Sequence, residues 1–156
     1  MYQDYKDLLS AFHVHGVKYL IVGGYAVSFH SQPRFTKDMD LFVKADPANA
    51  AAIYAALARF GAPLDTILAA DRADPRHFIR FGRDPVAIDL LPSIDGVDFD
   101  AAWERRVEAV IDPKDGQIAY FISRADLIAS KLAAGRMRDL ADVEEIRQAS
   151  QGEGWS

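Results

Sequence analysis

The sequence predicts an α/β fold, a small mixed β-sheet flanked by helices, with a short helical segment at its C-terminal end. Three observations carry this. Short apolar runs of strand length alternate with helix-period segments from Tyr2 to Phe60. Two further apolar runs flank a turn-like Gly82-Arg83-Asp84. From Ser123 to Ala149 the periodicity is helical alone. The expected organisation is an α/β core over 1–122 and a helical segment of the same domain over 123–150.

Tyr2 to Val14 spaces Tyr5, Leu8, Leu9 and Phe12 as the buried stripe of an amphipathic helix, and Gly16 ends it. Tyr19-Leu20-Ile21-Val22 is a buried strand closed by Gly23-Gly24, and Tyr25 to His30 forms a short helix straight from that turn. Pro33 stops this helix. Arg34-Phe35-Thr36-Lys37 connects to a strand over Asp38 to Lys44. Asp46-Pro47 caps an Ala-rich helix that ends near Phe60-Gly61, and 62–75 reads mostly as loop. His77 to Phe81 and Pro85 to Leu91 are strands about the turn. Phe99 to Arg105 is a short helix, Val107 to Ile111 an edge strand and Gln117 to Ile122 another strand. Ser123 and Asp126 form the S-x-x-D capping pattern of a helix reaching Ala134. Asp139 to Ala149 is the last helix, and Gln151 to Ser156 is expected to fray.

Composition narrows the function classes. The chain of 156 residues is 50% apolar, which suffices for a real core and excludes a disordered tail. A net charge of −5 argues against a general nucleic-acid coat protein. With no cysteine there is no disulfide, thiolate zinc site or Cys nucleophile. No apolar run approaches the roughly 18 residues of a membrane span, and Met1 to Ser10 is too charged for a signal peptide, so a cytoplasmic protein is expected. Asp outnumbers Glu by 18 to 5. Asp favours caps, turns and metal sites over helix interiors.

The chemistry concentrates in three places. In a strand, Asp38 and Asp40 point to one face while Met39, Leu41 and Val43 point to the other. Two carboxylates so close repel, and a magnesium ion between them relieves that cost. The competing reading is a solvated strand face. Gly23-Gly24 ends a strand where a helix begins, so backbone N–H groups can approach an anion; a plain turn is the alternative. Asp89 interrupts the apolar Val86-Ala87-Ile88-Asp89-Leu90-Leu91. Such an Asp needs a metal or a partner such as Arg80 or Arg83. If its strand lies beside that of Asp38 and Asp40, three carboxylates converge, as two-metal phosphoryl-type transfer requires.

Further candidates lie in the tail. Lys131 sits on a helix with Leu127, Ile128 and Leu132, where a lone Lys commonly snorkels to solvent. Asp139 stands at the start of the last helix, where an N-cap role is the plain reading. Asp142 lies within helical reach of Arg136 and Arg138. His13 and His15 lack a carboxylate neighbour for a metal site, and His30 reads as a helix-end residue. Trp103 reads as core or interface.

Taken together, Val22-Gly23-Gly24-Tyr25-Ala26-Val27, Arg34-Phe35-Thr36-Lys37 and Asp38-Met39-Asp40-Leu41 resemble the signature of the DNA polymerase β-type nucleotidyltransferase superfamily. Within it they are similar to the minimal bacterial proteins, the lincosamide and aminoglycoside nucleotidyltransferases and the abortive-infection type toxins. The tail Asp126-Leu127-Ile128-Ala129-Ser130-Lys131-Leu132 and Arg136-Met137-Arg138-Asp139-Leu140-Ala141-Asp142 also resembles the toxin-like subgroup. Much of the superfamily carries Gly-Ser where this chain has Gly23-Gly24, a form the antibiotic-modifying and toxin-like branches share.

The resemblance implies transfer of a nucleoside monophosphate from an NTP to an acceptor hydroxyl, with release of pyrophosphate. By resemblance, Asp38, Asp40 and Asp89 bind Mg²⁺ or Mn²⁺, and Asp89 assists deprotonation. Gly23 and Gly24 cradle the phosphates, with Lys131 and Arg34 or Lys37 as charge clamps. Asp139 is implied to act as a base toward the acceptor or to position it. The acceptor is left open among tRNA, protein and a small molecule, and an antitoxin protein is an implied partner. The alternative is a non-catalytic nucleotide-binding or antitoxin-partner module on the same fold.

Overall fold

The computed structural model describes residues 1–61, 79–83 and 86–153. Their order is α1 (Gln3–Val14), β1 (Tyr19–Val22), α2 (Gly23–His30), β2 (Met39–Val43), α3 (Pro47–Phe60), β3 (Ile79–Arg83), β4 (Val86–Leu91), α4 (Phe99–Glu104), β5 (Val107–Asp112), β6 (Gln117–Phe121), α5 (Arg124–Ala134) and α6 (Met137–Glu153). The strands form one mixed sheet in the order β3-β4-β2-β1-β6-β5. β2 is parallel to β4 and β1 to β6, while β1/β2, β3/β4 and β5/β6 are antiparallel. This is the expected α/β architecture, with β5 at an edge as its sequence suggests.

Both faces of the sheet are covered, which is why β1 is apolar at every position. On one face, Tyr5, Leu8, Leu9 and Phe12 of α1 and Ile53 and Leu57 of α3 pack on Tyr19, Ile21, Met39, Leu41, Ile88 and Leu90. On the other, Leu20, Val22 and Phe42 meet Ala26 and Val27 of α2, Phe99, Leu127 of α5 and Ile146 of α6. Each large side chain so buried contributes roughly 1.5–3 kcal/mol. The period-two alternation of β2 therefore sends Met39, Leu41 and Val43 to the first core, and Phe42 with Asp40 to the second face.

The helix ends follow the local chemistry of the sequence. Asp46 accepts a 2.7 Å hydrogen bond from the Asn49 N–H, Pro47 sits in the first turn, and Gly61 closes α3 in a left-handed conformation. Ser123 caps α5 by accepting from the Asp126 N–H at 3.1 Å. The Asp126 carboxylate in turn binds Arg105 at 2.7 and 2.9 Å, tying α5 to the end of α4.

Several boundaries differ from expectation, three elements most clearly. α2 begins at Gly23 itself, so both glycines belong to the helix. Gly82 and Arg83 pair with Ala87 and Val86 within the hairpin, because the antiparallel ladder continues past the expected turn. The residues between these strands, like 62–75 and His77, lie outside the described residues. α6 begins at Met137 and continues to Glu153 rather than fraying after Ala149.

One buried side chain connects the fold to the acidic strands. The Tyr5 hydroxyl, from the first turn of α1, lies 2.6 Å from the carbonyl oxygen of Lys37 and 2.9 Å from that of Ala87 and shares its one proton between them. Burial pushes its pKa up to about 12, so it stays protonated and a donor. Those carbonyls lie just upstream of Asp38 and Asp89. Tyr5→Phe keeps the ring's edge-on contacts with Tyr2 and Tyr25 but leaves both carbonyls without this donor. Urea denaturation is expected to show a loss of about 1–3 kcal/mol. An unchanged midpoint would mean the hydroxyl contributes nothing.

Candidate active site

The sheet register lines up four residues across neighbouring strands. Arg80 on β3 pairs with Asp89 on β4, Asp89 with Asp40 on β2, and Asp40 with Val22 on β1. Residues paired this way share one face, so two carboxyl groups meet in the middle of the sheet with a guanidinium beyond them. Asp38, just before β2, falls on the same face by alternation.

The electrostatics of this row are costly. Burial first, then the hydrogen bond and charge of Asp89, push the Asp40 carboxyl up to about 7; the charge of Asp38 adds to this and Lys131 opposes it. Asp89 is buried, and Arg80 clamps it: Nη1 donates to both Asp89 oxygens, at 2.8 and 3.0 Å. The same guanidinium reaches Asp38 Oδ2 through Nη2 at 3.3 Å. Asp38 Oδ1 is buried and, among the described residues, accepts no hydrogen bond. Both readings of Asp89 thus hold at once, for it stands beside Asp40 and is bound by an arginine.

Of the three carboxylates expected to converge, the register places Asp40 beside Asp89, while Asp38 is joined to Asp89 through Arg80. Among the described residues no group of three or more His, Asp or Glu side chains is arranged to hold a metal ion. Arg80 lies between Asp38 and Asp89 instead. The donors nonetheless suit a hard divalent cation: they are carboxylate oxygens, two of them face each other at electrostatic cost, and Asp38 Oδ1 is left orphaned.

The two glycines play separate parts. Gly23 has φ +65°, and a Cβ there would collide with the Asp40 carboxylate, so only glycine lets β1 turn into α2 this close to Asp40. Gly24 is covered by Thr36, whose Cγ2 lies 2.7 Å from where a Cβ would stand. Of the expected cradle, Gly23 lines the open cleft and Gly24 is packed against the connection before β2. No side chain caps the N-terminus of α2, and its first turn carries no acidic residue. Its leading N–H groups therefore remain suited to an anion.

Opposite these residues lies a cleft of about 260 Å³. Gly23 and Asp40 form one wall, Ser93 and Asp95 follow β4, and Ser130, Lys131, Arg136 and Asp139 come from α5 and α6. Two larger hollows, of about 420 Å³ by Tyr2, Tyr25 and Phe35 and of about 480 Å³ by Asp4, Asp7 and Arg59, include neither the glycine turn nor a residue of the acidic row. Chemistry rather than size singles out the smaller cleft.

Lys131 is directed into this cleft, not to solvent, because two carboxylates of α6 hold it. Its Nζ lies 3.0 Å from Asp142 Oδ2 and 3.5 Å from Asp139 Oδ1. Asp139 reaches back to the backbone N–H of Arg136 at 3.2 Å and to its guanidinium at 2.6 Å. It thereby completes the first turn of α6 from inside the helix rather than as the N-cap residue. Its hydrogen bonds from Arg136 outweigh burial and keep its pKa below the usual carboxylate value. A carboxylate so engaged is a poor proton acceptor, which favours positioning over the base role that the resemblance implies.

Asp142 binds Arg34 at 3.2 Å and Lys131, not Arg136 or Arg138 as local spacing suggests. Arg34 also lies 3.6 Å from Glu145, so its charge is directed toward α6. Lys37 contributes its carbonyl to Tyr5. The histidines have structural partners. His13 Nε2 lies 2.6 Å from the Tyr19 hydroxyl and stacks on Tyr120, and His30 Nε2 lies 2.7 Å from the Ile122 carbonyl oxygen. Trp103 stacks on Phe99 under the Arg106 guanidinium. Sequence reasoning missed Ser93, Asp95 and Ser130 as cleft residues. Position immediately after the strand carrying Asp89 is the one signal that marks the first two.

A mixed sheet with a glycine turn, paired carboxylates on neighbouring strands and a facing lysine defines a nucleotidyltransferase-like α/β protein. The chain belongs to the family described as "Nucleotidyltransferase of unknown function (DUF6036)", which matches residues 6–151. No curated protein matches the chain. Among the described residues no helix is long and apolar enough to cross a membrane.

The raised pKa of Asp40 has a measurable consequence. A carboxyl whose folded pKa exceeds its unfolded value of 3.8 contributes stability that is full below that value and lost as pH rises through about 7. In metal-free buffer, Asp40→Asn is therefore expected to melt at or above the wild-type temperature at about pH 8, with the advantage shrinking toward about pH 4. A variant that melts lower at the higher pH would show that the ionised carboxylate stabilises the fold.

Proposed function

We propose that the protein is a metal-dependent nucleotidyltransferase that moves a nucleoside monophosphate from an NTP to an acceptor hydroxyl and releases pyrophosphate. The observation that carries this reading is the position of Asp40. It abuts Asp89 on one side and Gly23, at the uncapped start of α2, on the other, with Lys131 on the facing wall of the cleft. A site for cationic and backbone recognition of phosphates thus borders a set of oxygen donors.

Asp38, Asp40 and Asp89 would hold Mg²⁺ or Mn²⁺, which when bound supplies charge neutralisation of the triphosphate and acidification of the acceptor hydroxyl. The N–H groups at the start of α2 donate to the phosphate oxygens, and Lys131 adds a positive charge that Asp139 and Asp142 orient. The acceptor oxygen attacks the α-phosphorus, the bond to the β-phosphate oxygen breaks, and pyrophosphate leaves. The acceptor proton passes to an Asp89 carboxylate oxygen. Arg34 is bound to Asp142 and Glu145, so its part is to brace α6 against the connection before β2. The acceptor belongs to one of three classes, tRNA, protein or a small molecule, which transfer of a labelled nucleotide to each distinguishes. By its likeness to the toxin-like branch, the chain is a cytoplasmic toxin component neutralised by an antitoxin protein. Growth arrest on expression, relieved by that partner, tests this part.

A second reading, a non-catalytic nucleotide-binding or antitoxin-partner module, is favoured by one observation: Arg80 already neutralises Asp38 and Asp89. Pyrophosphate release with Mg²⁺ and each NTP decides between the two. Turnover by the wild type is expected, and Asp89→Asn is expected to lower it by at least ~10²-fold, the lower range for losing a general base, while NTP binding survives. NTP binding without pyrophosphate release on any acceptor would establish the non-catalytic module.

A further inference from the structure

Arg80 is an unusual neighbour for a cation site. Its fork engages both oxygens of Asp89 and one of Asp38, all through charge-assisted bonds of 2.8 to 3.3 Å. Those oxygens are the ones a divalent cation at this position needs. A guanidinium and a metal ion cannot use the same lone pairs together, and their like charges repel. Two oxygen sources stand outside the fork: Asp38 Oδ1, buried without a partner, and Asp40, which faces Asp89 and makes no bond to Arg80.

The place of Arg80 in the fold suits it to leave. Among the described residues β3 is an edge strand, so Arg80 approaches the row from the side of the sheet while the strands of both carboxylate partners sit inside it. Its side chain is 47% exposed, against 9% for Asp89. Moving the guanidinium into solvent uncovers the carboxylates without disturbing β2 or β4, whose side chains hold the core.

We propose that Arg80 is a built-in counter-cation that gates the site: a divalent cation binds only by displacing its guanidinium from Asp38 and Asp89. The gate rests on the metal-site reading given above. In the metal-free protein Arg80 offsets the repulsion of the acidic row, and its withdrawal makes Asp89 available both to a cation and to the acceptor proton. The structure thereby makes Arg80 a positioning residue whose charge sets the affinity for metal.

The test is Mn²⁺ titration of the nucleotide-free full chain, with free Mn²⁺ read by electron paramagnetic resonance. Arg80→Met and Arg80→Gln both remove the competing charge, and Gln retains hydrogen-bond donors should Met fail to fold. Either variant is expected to bind Mn²⁺ at least ~10-fold more tightly than the wild type, and Arg80→Lys within ~3-fold of it, because charge rather than shape is the competitor. Mn²⁺ should also raise the melting temperature of the neutral variants more than that of the wild type. Equal or weaker Mn²⁺ binding by the folded neutral variants, with binding abolished by Asp40→Asn, would overturn the gate and leave the metal site standing. No Mn²⁺ binding by any form, even with a non-hydrolysable NTP present, would overturn the metal site and the gate with it.

Discussion

Two carboxyl groups, those of Asp40 and Asp89, meet side by side on the central parallel strands, in a place where burial makes their repulsion expensive. Much of the surrounding structure answers that cost. Arg80 neutralises one end of the row, Lys131 opposes it from across the cleft, and Asp40 holds its proton toward neutral pH. Neither acid belongs to the apolar clusters that form the two cores. On the reading proposed above, a cation and a polyphosphate are the occupants that would offset this cost.

The opposite wall is built on the same principle, with signs reversed. Lys131 and Arg136 line the cleft, and Asp139 and Asp142 hold them by ion pairs rather than leaving them to solvent. Asp139 is almost wholly buried, yet its hydrogen bonds keep it ionised and fix α6 against α5. Arg34 extends the network to the connection before β2, so one chain of contacts joins the helical segment to the acidic strand. In the first wall, Gly23 takes a left-handed backbone against the carboxylate of Asp40, which excludes any side chain there.

Local patterns made most of this legible. The apolar run before Gly23, the alternation of Asp38 to Val43 and the interruption of an apolar strand by Asp89 identify the strands and the acidic positions, because strand periodicity and the cost of a buried charge act over a few residues. Register is a tertiary property. Arg80 was recognisable as a partner of Asp89, but its reach to Asp38 depends on β3, β4 and β2 lying side by side. Helical spacing suggests Arg136 or Arg138 for Asp142, whereas the fold brings Arg34 to it from more than a hundred residues away. Gly24 illustrates the same gap. Its neighbour in space is Thr36, and nothing in a glycine pair says which member will be covered.

On the proposed reading, the acidic row and the start of α2 together form one metal–triphosphate site. Anomalous diffraction from crystals containing Mn²⁺ and a non-hydrolysable NTP tests it most directly. The account predicts an anomalous peak in contact with Asp38 and Asp40, phosphates against Gly23 and Lys131, and the Arg80 guanidinium moved off Asp89. A nucleotide bound elsewhere, or a Mn²⁺ peak away from these carboxylates with Arg80 still clamped on Asp89, would contradict it.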